Sequence, residues 1–216
     1  MSREIHVRFC EGAGGQFPRA TRLALGFQHE SDAVRFRADL QRRLERFSLE
    51  MHPEKTRLIR FGSLAAANRR ERGEGKPETF DFLGFTHICG KTRAGKFLLY
   101  RRTTKKRMRA KLKAVREALY KRRHLPVPVQ GQWLGSVVRG YFAYHAVPTN
   151  IDRLASFRTQ AVRSWLHALR RRSQRSRTTW DRMNRLAMRW IPLPRILHPY
   201  PSARFDERTR GRSRVR

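Results

Sequence analysis

Phe80-Asp-Phe-Leu-Gly-Phe-Thr-His-Ile88 is apolar and dense in aromatic and β-branched side chains. Such a run reads as one buried strand. Gly90, Gly95 and the basic residues between them read as a turn, and Phe97-Leu-Leu-Tyr100 as the strand returning from it. A helix is expected next, from Thr103 to Arg123, because Met108, Leu112, Val115 and Leu119 recur at helical spacing on one face. Its other faces carry Lys105, Lys106, Arg107, Arg109, Lys111, Lys113, Arg116, Lys121, Arg122 and Arg123. A hairpin that hands over to an amphipathic basic helix presents positive charge to a phosphate backbone.

The whole chain shares this bias. Its 216 residues suit one domain or two small ones, and 39% of them are hydrophobic, enough for a core. Lys and Arg number 50 against 17 acids, a formal charge of +33. Solubility requires far less, and unbalanced self-repulsion opposes compaction, so a polyanion partner is expected, with nucleic acid ahead of an acidic membrane. Cys10 and Cys89 make neither a disulfide framework nor a metal-ligand spacing. His87 precedes Cys89 by two residues, but no second pair completes a zinc site, so that cluster reads as structural. No apolar run reaches the length of a membrane span, and the N-terminus lacks the apolar core of a signal peptide. A cytoplasmic, reducing location is therefore expected.

Residues 1–22 are expected to be a disordered leader. Glu11-Gly-Ala-Gly-Gly15 looks like a linker, and no strand, Lys-Ser/Thr pair or helix frames its glycines as a phosphate loop. Leu23 to Phe27 reads as a strand. Ser31 reads as the N-cap, with Asp32 in the first turn, of a helix carrying Phe36, Leu40, Leu44 and Phe47 on one face. Leu49 to His52 and Thr56 to Phe61 read as strands of a hairpin with Glu54 and Lys55 at its bend. Residues 65–77 read as an exposed loop.

Pro126 and Pro128 close the basic helix region. Gln130 to Ala146 reads as a helix apolar nearly all round, with Arg139 its only formal charge; Tyr141 and Tyr144 are expected in the core, and Gly140 at a close approach. Ile151 to Arg172 reads as a further helix ending in Arg170, Arg171 and Arg172, followed by a loop that adds Arg175 and Arg177. Trp180, Met183, Ala187 and Trp190 mark a last short helix, and residues 199–216 a basic, disordered tail. The expected fold class is α+β: a small antiparallel sheet with one helix, then a helical bundle.

Gly26-Phe-Gln-His-Glu-Ser-Asp32, His52-Pro-Glu-Lys-Thr56 and Phe80-Asp-Phe-Leu-Gly-Phe-Thr86 together resemble the reverse transcriptases encoded by bacterial group II introns. Val138-Arg-Gly-Tyr-Phe-Ala-Tyr144 resembles their maturase-specific segment, and Arg195-Ile-Leu-His-Pro-Tyr-Pro201 the end of that region. The resemblance covers about residues 23 to 205. It implies that residues 23–99 are the end of a palm, the sheet with its one helix being a palm remnant. It also implies that residues 100–198 are a thumb, or domain X, that grips intron RNA.

The departures are equally specific. The fingers, most of the palm and the first catalytic aspartate of the family precede anything seen here. Where the resemblance implies aromatic-Ala-Asp-Asp, the chain reads Arg19-Ala-Thr-Arg22. A hydroxyl and a cation replace the two carboxylates that hold divalent ions for nucleotidyl transfer. A frame-altering lesion or a remote start codon is the expected origin of the segment before Leu23. Lys55 resembles a lysine that gives a proton to the leaving pyrophosphate; without a metal site it is a weak catalytic candidate.

The resemblance thus implies a truncated maturase fragment that binds group II intron RNA and assists splicing, without polymerase catalysis of its own. Lys105, Lys106, Arg107, Arg109, Lys111, Lys113, Arg116, Arg139, Arg170, Arg171, Arg172, Arg175 and Arg177 are the candidate RNA contacts. No cofactor or metal is expected, with Mg2+ entering only if a separate chain supplies the polymerase aspartates. The alternatives are one half of a split RNA-directed DNA polymerase, or a degenerate relic.

Overall fold

Three short strands make a first sheet. β1 (Ile5–Cys10) lies between β2 (Leu23–Phe27) and β3 (Arg57–Phe61) and is antiparallel to both, with Val7 in register with Gly26 on one side and Ile59 on the other. The computed structural model describes residues 5–10, 23–52, 56–173 and 178–200, with the backbone alone for 5–10 and 23. Residues 5–10 of the expected leader form β1. Ile-His-Val-Arg-Phe-Cys alternates apolar and polar residues, a strand pattern hidden by the glycines after it. Residues 11–22, including Arg19 to Arg22, lie outside the described residues, as do most of the expected tail (201–216) and Lys55.

The expected hairpin between Leu49–His52 and Thr56–Phe61 is also corrected. β3 takes its ladder from β1, and only Met51 of the earlier stretch forms a bridge. α1 (Glu30–Glu45) starts one residue before Ser31, with His29 at its N-cap and no side-chain capping bond. Its start is held instead by Arg60 of β3, which donates Nε and Nη2 to the Glu30 carboxylate at 3.0 and 2.8 Å. Ala33 is its buried residue, while Phe36 and Phe47 remain exposed and Leu40 and Leu44 half-buried. Residues 65–77 are not all loop. Ala65-Ala-Ala-Asn-Arg-Arg-Glu71 forms α2 (Ala65–Glu71), as a run of three alanines favours, and Gly73 at φ +69° ends it.

The aromatic run is a hairpin rather than one strand. β4 (Phe80–Phe82) and β5 (Phe85–Lys91) are antiparallel, with Phe82 in register with Phe85. Leu83 and Gly84 between them have φ +47° and +84°. Two positive φ values in a two-residue loop are the type I′ turn that matches strand twist. β6 (Phe97–Thr103) completes this second sheet on the far side of β5. Gly90 makes room there for the Tyr100 ring, which would have to shift if a Cβ were added. Phe80 stacks on His87 at 4.7 Å and meets Phe61 edge-on at 4.8 Å, so His87 belongs to an aromatic cluster.

The chain divides into two compact units, Met1–Tyr100 and Arg101–Arg216, at a boundary inside β6. Among its described residues the second unit holds four helices: α3 (Lys105–Lys121), α4 (Val127–His145), α5 (Ile151–Arg170) and α6 (Trp180–Trp190). The protein is thus α+β, with small sheets followed by a helical bundle. The bundle core gathers Val115 and Leu119 of α3, Leu134, Val138 and Phe142 of α4, and Leu154, Phe157 and Trp165 of α5. Met183 and Ala187 of α6 close it. Burial of a large apolar side chain such as Leu119 or Phe157 stabilises by about 1.5–3 kcal/mol. Gln130 is fully buried and fully used: Nε2 donates to the carbonyls of Arg123 and Leu125 at 3.2 and 2.9 Å, and Oε1 accepts from the Trp165 indole at 3.0 Å.

Two expectations for α4 are corrected. Gly140 has open space around it; the close approaches are at Gly131 and Gly135, where an added Cβ would meet the Trp190 ring at 2.6 Å and the Trp190 carbonyl oxygen, respectively. Tyr141 is buried and stacks on Phe157 at 3.6 Å, but Tyr144 is 49% exposed. The helix is apolar all round in sequence, yet its last turn emerges from the bundle.

Candidate nucleic-acid interface

Phosphate binding needs cations that are exposed, close together and held on something rigid. α3 supplies all three. Val115 and Leu119 are buried and Met108 and Leu112 pack against the core, so one face of the helix is fixed. Lys105, Lys106, Arg107, Arg109, Lys111, Lys113 and Arg116 are all exposed. Among them Lys106, Arg109, Lys113 and Arg116 follow at spacings of three, four and three, which puts them on one face. Glu117 is the helix's single acid and lies 3.9 Å from Lys113.

The next turn on the same face carries Tyr120, 54% exposed, with the Arg123 guanidinium 4.2 Å over its ring. Neither stood out in the sequence as a site residue. The usable signal was the continuation of the four-residue basic face by one aromatic at the same spacing.

The start of α3 is pinned. Asn150, fully buried ahead of α5, accepts from the Thr103 backbone N–H at 2.9 Å. It also donates Nδ2 to Thr103 Oγ1 and to the His145 carbonyl, each at 2.8 Å. Thr149 Oγ1 accepts from the Arg101 N–H at 2.9 Å, with Thr149 itself at φ +72°. At the other end, Tyr120 and Lys121 share a groove with Ala168 and Arg171. Joined at both starts and at both ends, α3 and α5 run side by side in the same direction.

The remaining arginines divide. Arg139 is exposed on α4 and donates to Ser136 Oγ at 3.1 Å. Arg170 and Arg171 are exposed at the end of α5, where Arg170 donates Nε to the Thr178 carbonyl at 2.9 Å. Arg172 is half-buried and donates to the His124 carbonyl at 3.2 Å, which ties down the loop between α3 and α4. Arg175 and Arg177 lie outside the described residues. Residues 101–200 hold 25 Lys and Arg against three acids, Glu117, Asp152 and Asp181, so little internal charge opposes this surface.

Burial holds the imidazole of His145 below its ordinary value, with the Tyr141 carbonyl opposing the shift and Arg107 adding to it. The Cys89 thiol is pushed up by burial. Among the described residues, no three His, Cys, Asp or Glu side chains gather in a group able to hold a metal ion. Among the described residues no helix is long and apolar enough to cross a membrane. The chain matches no family model and no curated protein sequence.

Proposed function

We propose that this protein binds structured RNA through the basic face of α3, as a maturase-like thumb unit that assists splicing of a group II intron in the cytoplasm. The observation that carries the reading is the Lys106–Arg109–Lys113–Arg116 face, exposed along a helix whose opposite side is locked into the core. Cations at successive helical turns match successive phosphates, and the counterions they displace drive binding. Arg170 and Arg171, at the end of the neighbouring parallel helix, extend the positive field. Choice of a group II intron as the RNA rests on the sequence resemblance alone.

The test is RNA binding by the purified chain, titrated against salt. The expected result is a steep linear fall of log affinity with log salt, with a slope of about −0.7 to −0.9 per phosphate neutralised. Affinity that stays flat from low to moderate salt refutes the electrostatic mechanism.

A further inference from the structure

A second basic concavity lies away from the α3 face, where α4, α5 and α6 meet. It has a volume of about 420 Å³, within the roughly 300–1,000 Å³ typical of small-ligand sites. Leu169, Leu186 and Trp190 contribute apolar surface, and Arg172, Arg182 and Arg189 line it with no carboxylate among the described lining residues. Helical spacing sets Arg182 and Arg189 on either side of Leu186, four residues before it and three after. The first turn of α4, Val127 and Pro128, forms part of the wall. The positive end of that 19-residue helix therefore adds to the field of the arginines. The Arg189 guanidinium lies 5.3 Å from the Trp190 ring, presenting a flat cationic plane.

We propose that this groove takes one unpaired nucleotide of the bound RNA. Its base lies against Leu186 and Trp190 beside the Arg189 plane, and the flanking phosphates meet Arg182 and Arg189. A phosphate alone gains nothing from an apolar floor, and a base stacked inside an A-form duplex cannot reach one. A looped-out base can, and aromatic rings and guanidinium planes are the surfaces on which such bases stack. This rests on the RNA reading of α3 and adds a preference: RNA with a bulged nucleotide over a continuous duplex of the same length.

The experiment compares two RNA stems that differ by a single bulged nucleotide, measured by fluorescence anisotropy on the full chain. Wild type is expected to bind the bulged stem about tenfold more tightly, the scale of one stacked base. Leu186→Trp fills the groove without changing charge. It is expected to erase the preference while leaving affinity for the continuous stem and its salt slope unchanged. Arg182→Gln/Arg189→Gln replaces two exposed side chains and is expected to lower the salt slope for the bulged stem by about one to two. Equal wild-type binding to both stems overturns the groove and leaves the α3 reading standing, as does a preference that survives both variants. Failure to bind either stem removes the α3 reading as well. A poly-glutamate peptide that competes as well as the bulged stem, and loses affinity to the same variants, overturns the proposal in favour of an acidic protein.

Discussion

Asn150 and Thr103 are joined by two hydrogen bonds, the Thr103 N–H to Asn150 Oδ1 at 2.9 Å and Asn150 Nδ2 to Thr103 Oγ1 at 2.8 Å. Both residues are buried. The pair fixes the last residue of β6 to the turn before α5, two residues ahead of the first lysine of the basic helix. The charge on α3 is thereby presented from a defined position. A flexible arm would surrender ordering entropy on each encounter with RNA.

Replacing Asn150 by Ala strands the buried Thr103 N–H, while the His145 carbonyl keeps the Val147 N–H at 2.8 Å. The expected loss is about 1–3 kcal/mol, the cost of one buried group left unpaired. All four tryptophans lie beyond residue 130, so tryptophan fluorescence during urea unfolding follows the helical unit alone. An unchanged midpoint contradicts the assignment of Asn150 as the anchor.

Two glycines of α4 give opposite predictions. Gly135→Ala drives a methyl into the Trp190 carbonyl, a backbone atom that cannot swing aside, and is expected to destabilise by about 1–3 kcal/mol. Gly140→Ala enters open space in the same helix and is expected to stabilise by about 0.5–1 kcal/mol through helix propensity. The check is the same urea midpoint; a matching sign for both substitutions contradicts the packing described.

Much of the helical unit was legible in the sequence. Met108, Leu112, Val115 and Leu119 repeat at helical spacing, and the chain has no other way to bury that row. The first unit was less so, because its elements are short and its pairing is set by partners distant in sequence. Leu83-Gly84 turns the aromatic run back on itself with a leucine at positive φ, a position where Asn or Asp is the usual signal. β1 was masked by the glycine-rich stretch after it. Of the site, the cations of α3 were visible as charge on a periodic helix. Tyr120 and the α6 arginines were not, since their meaning depends on which helix ends come together. Tyr144 was placed in the core because apolar composition does not say where a helix leaves its bundle.

Charge reversal on one face of α3 separates the interface from general basicity. Lys106→Glu, Arg109→Glu and Lys113→Glu together are expected to weaken RNA binding at least tenfold and to reduce the salt slope by about two to three. These side chains are exposed, so the urea midpoint should move little. A triple variant that binds RNA as wild type does places the interface elsewhere.

His145 gives the helical unit a pH dependence. Burial lowers its folded-state pKa below the ordinary value near 6.5, so the unfolded chain takes up a proton first as pH falls. Stability from this site is complete above about pH 6.5, declines as pH drops through the ordinary histidine value, and is fully lost below the folded-state pKa. Comparison of urea midpoints at pH 7.5 and pH 5 for wild type and His145→Gln checks it. The variant should lose part of the acid sensitivity, and an identical pH profile contradicts the assignment.

The central claim is tested most directly by the affinity of the purified chain for a group II intron RNA and for an unrelated structured RNA of equal length, each titrated against salt. The account predicts a preference for the intron that survives moderate salt. Equal affinity for both, lost together as salt rises, contradicts it and reduces the interface to unspecific charge.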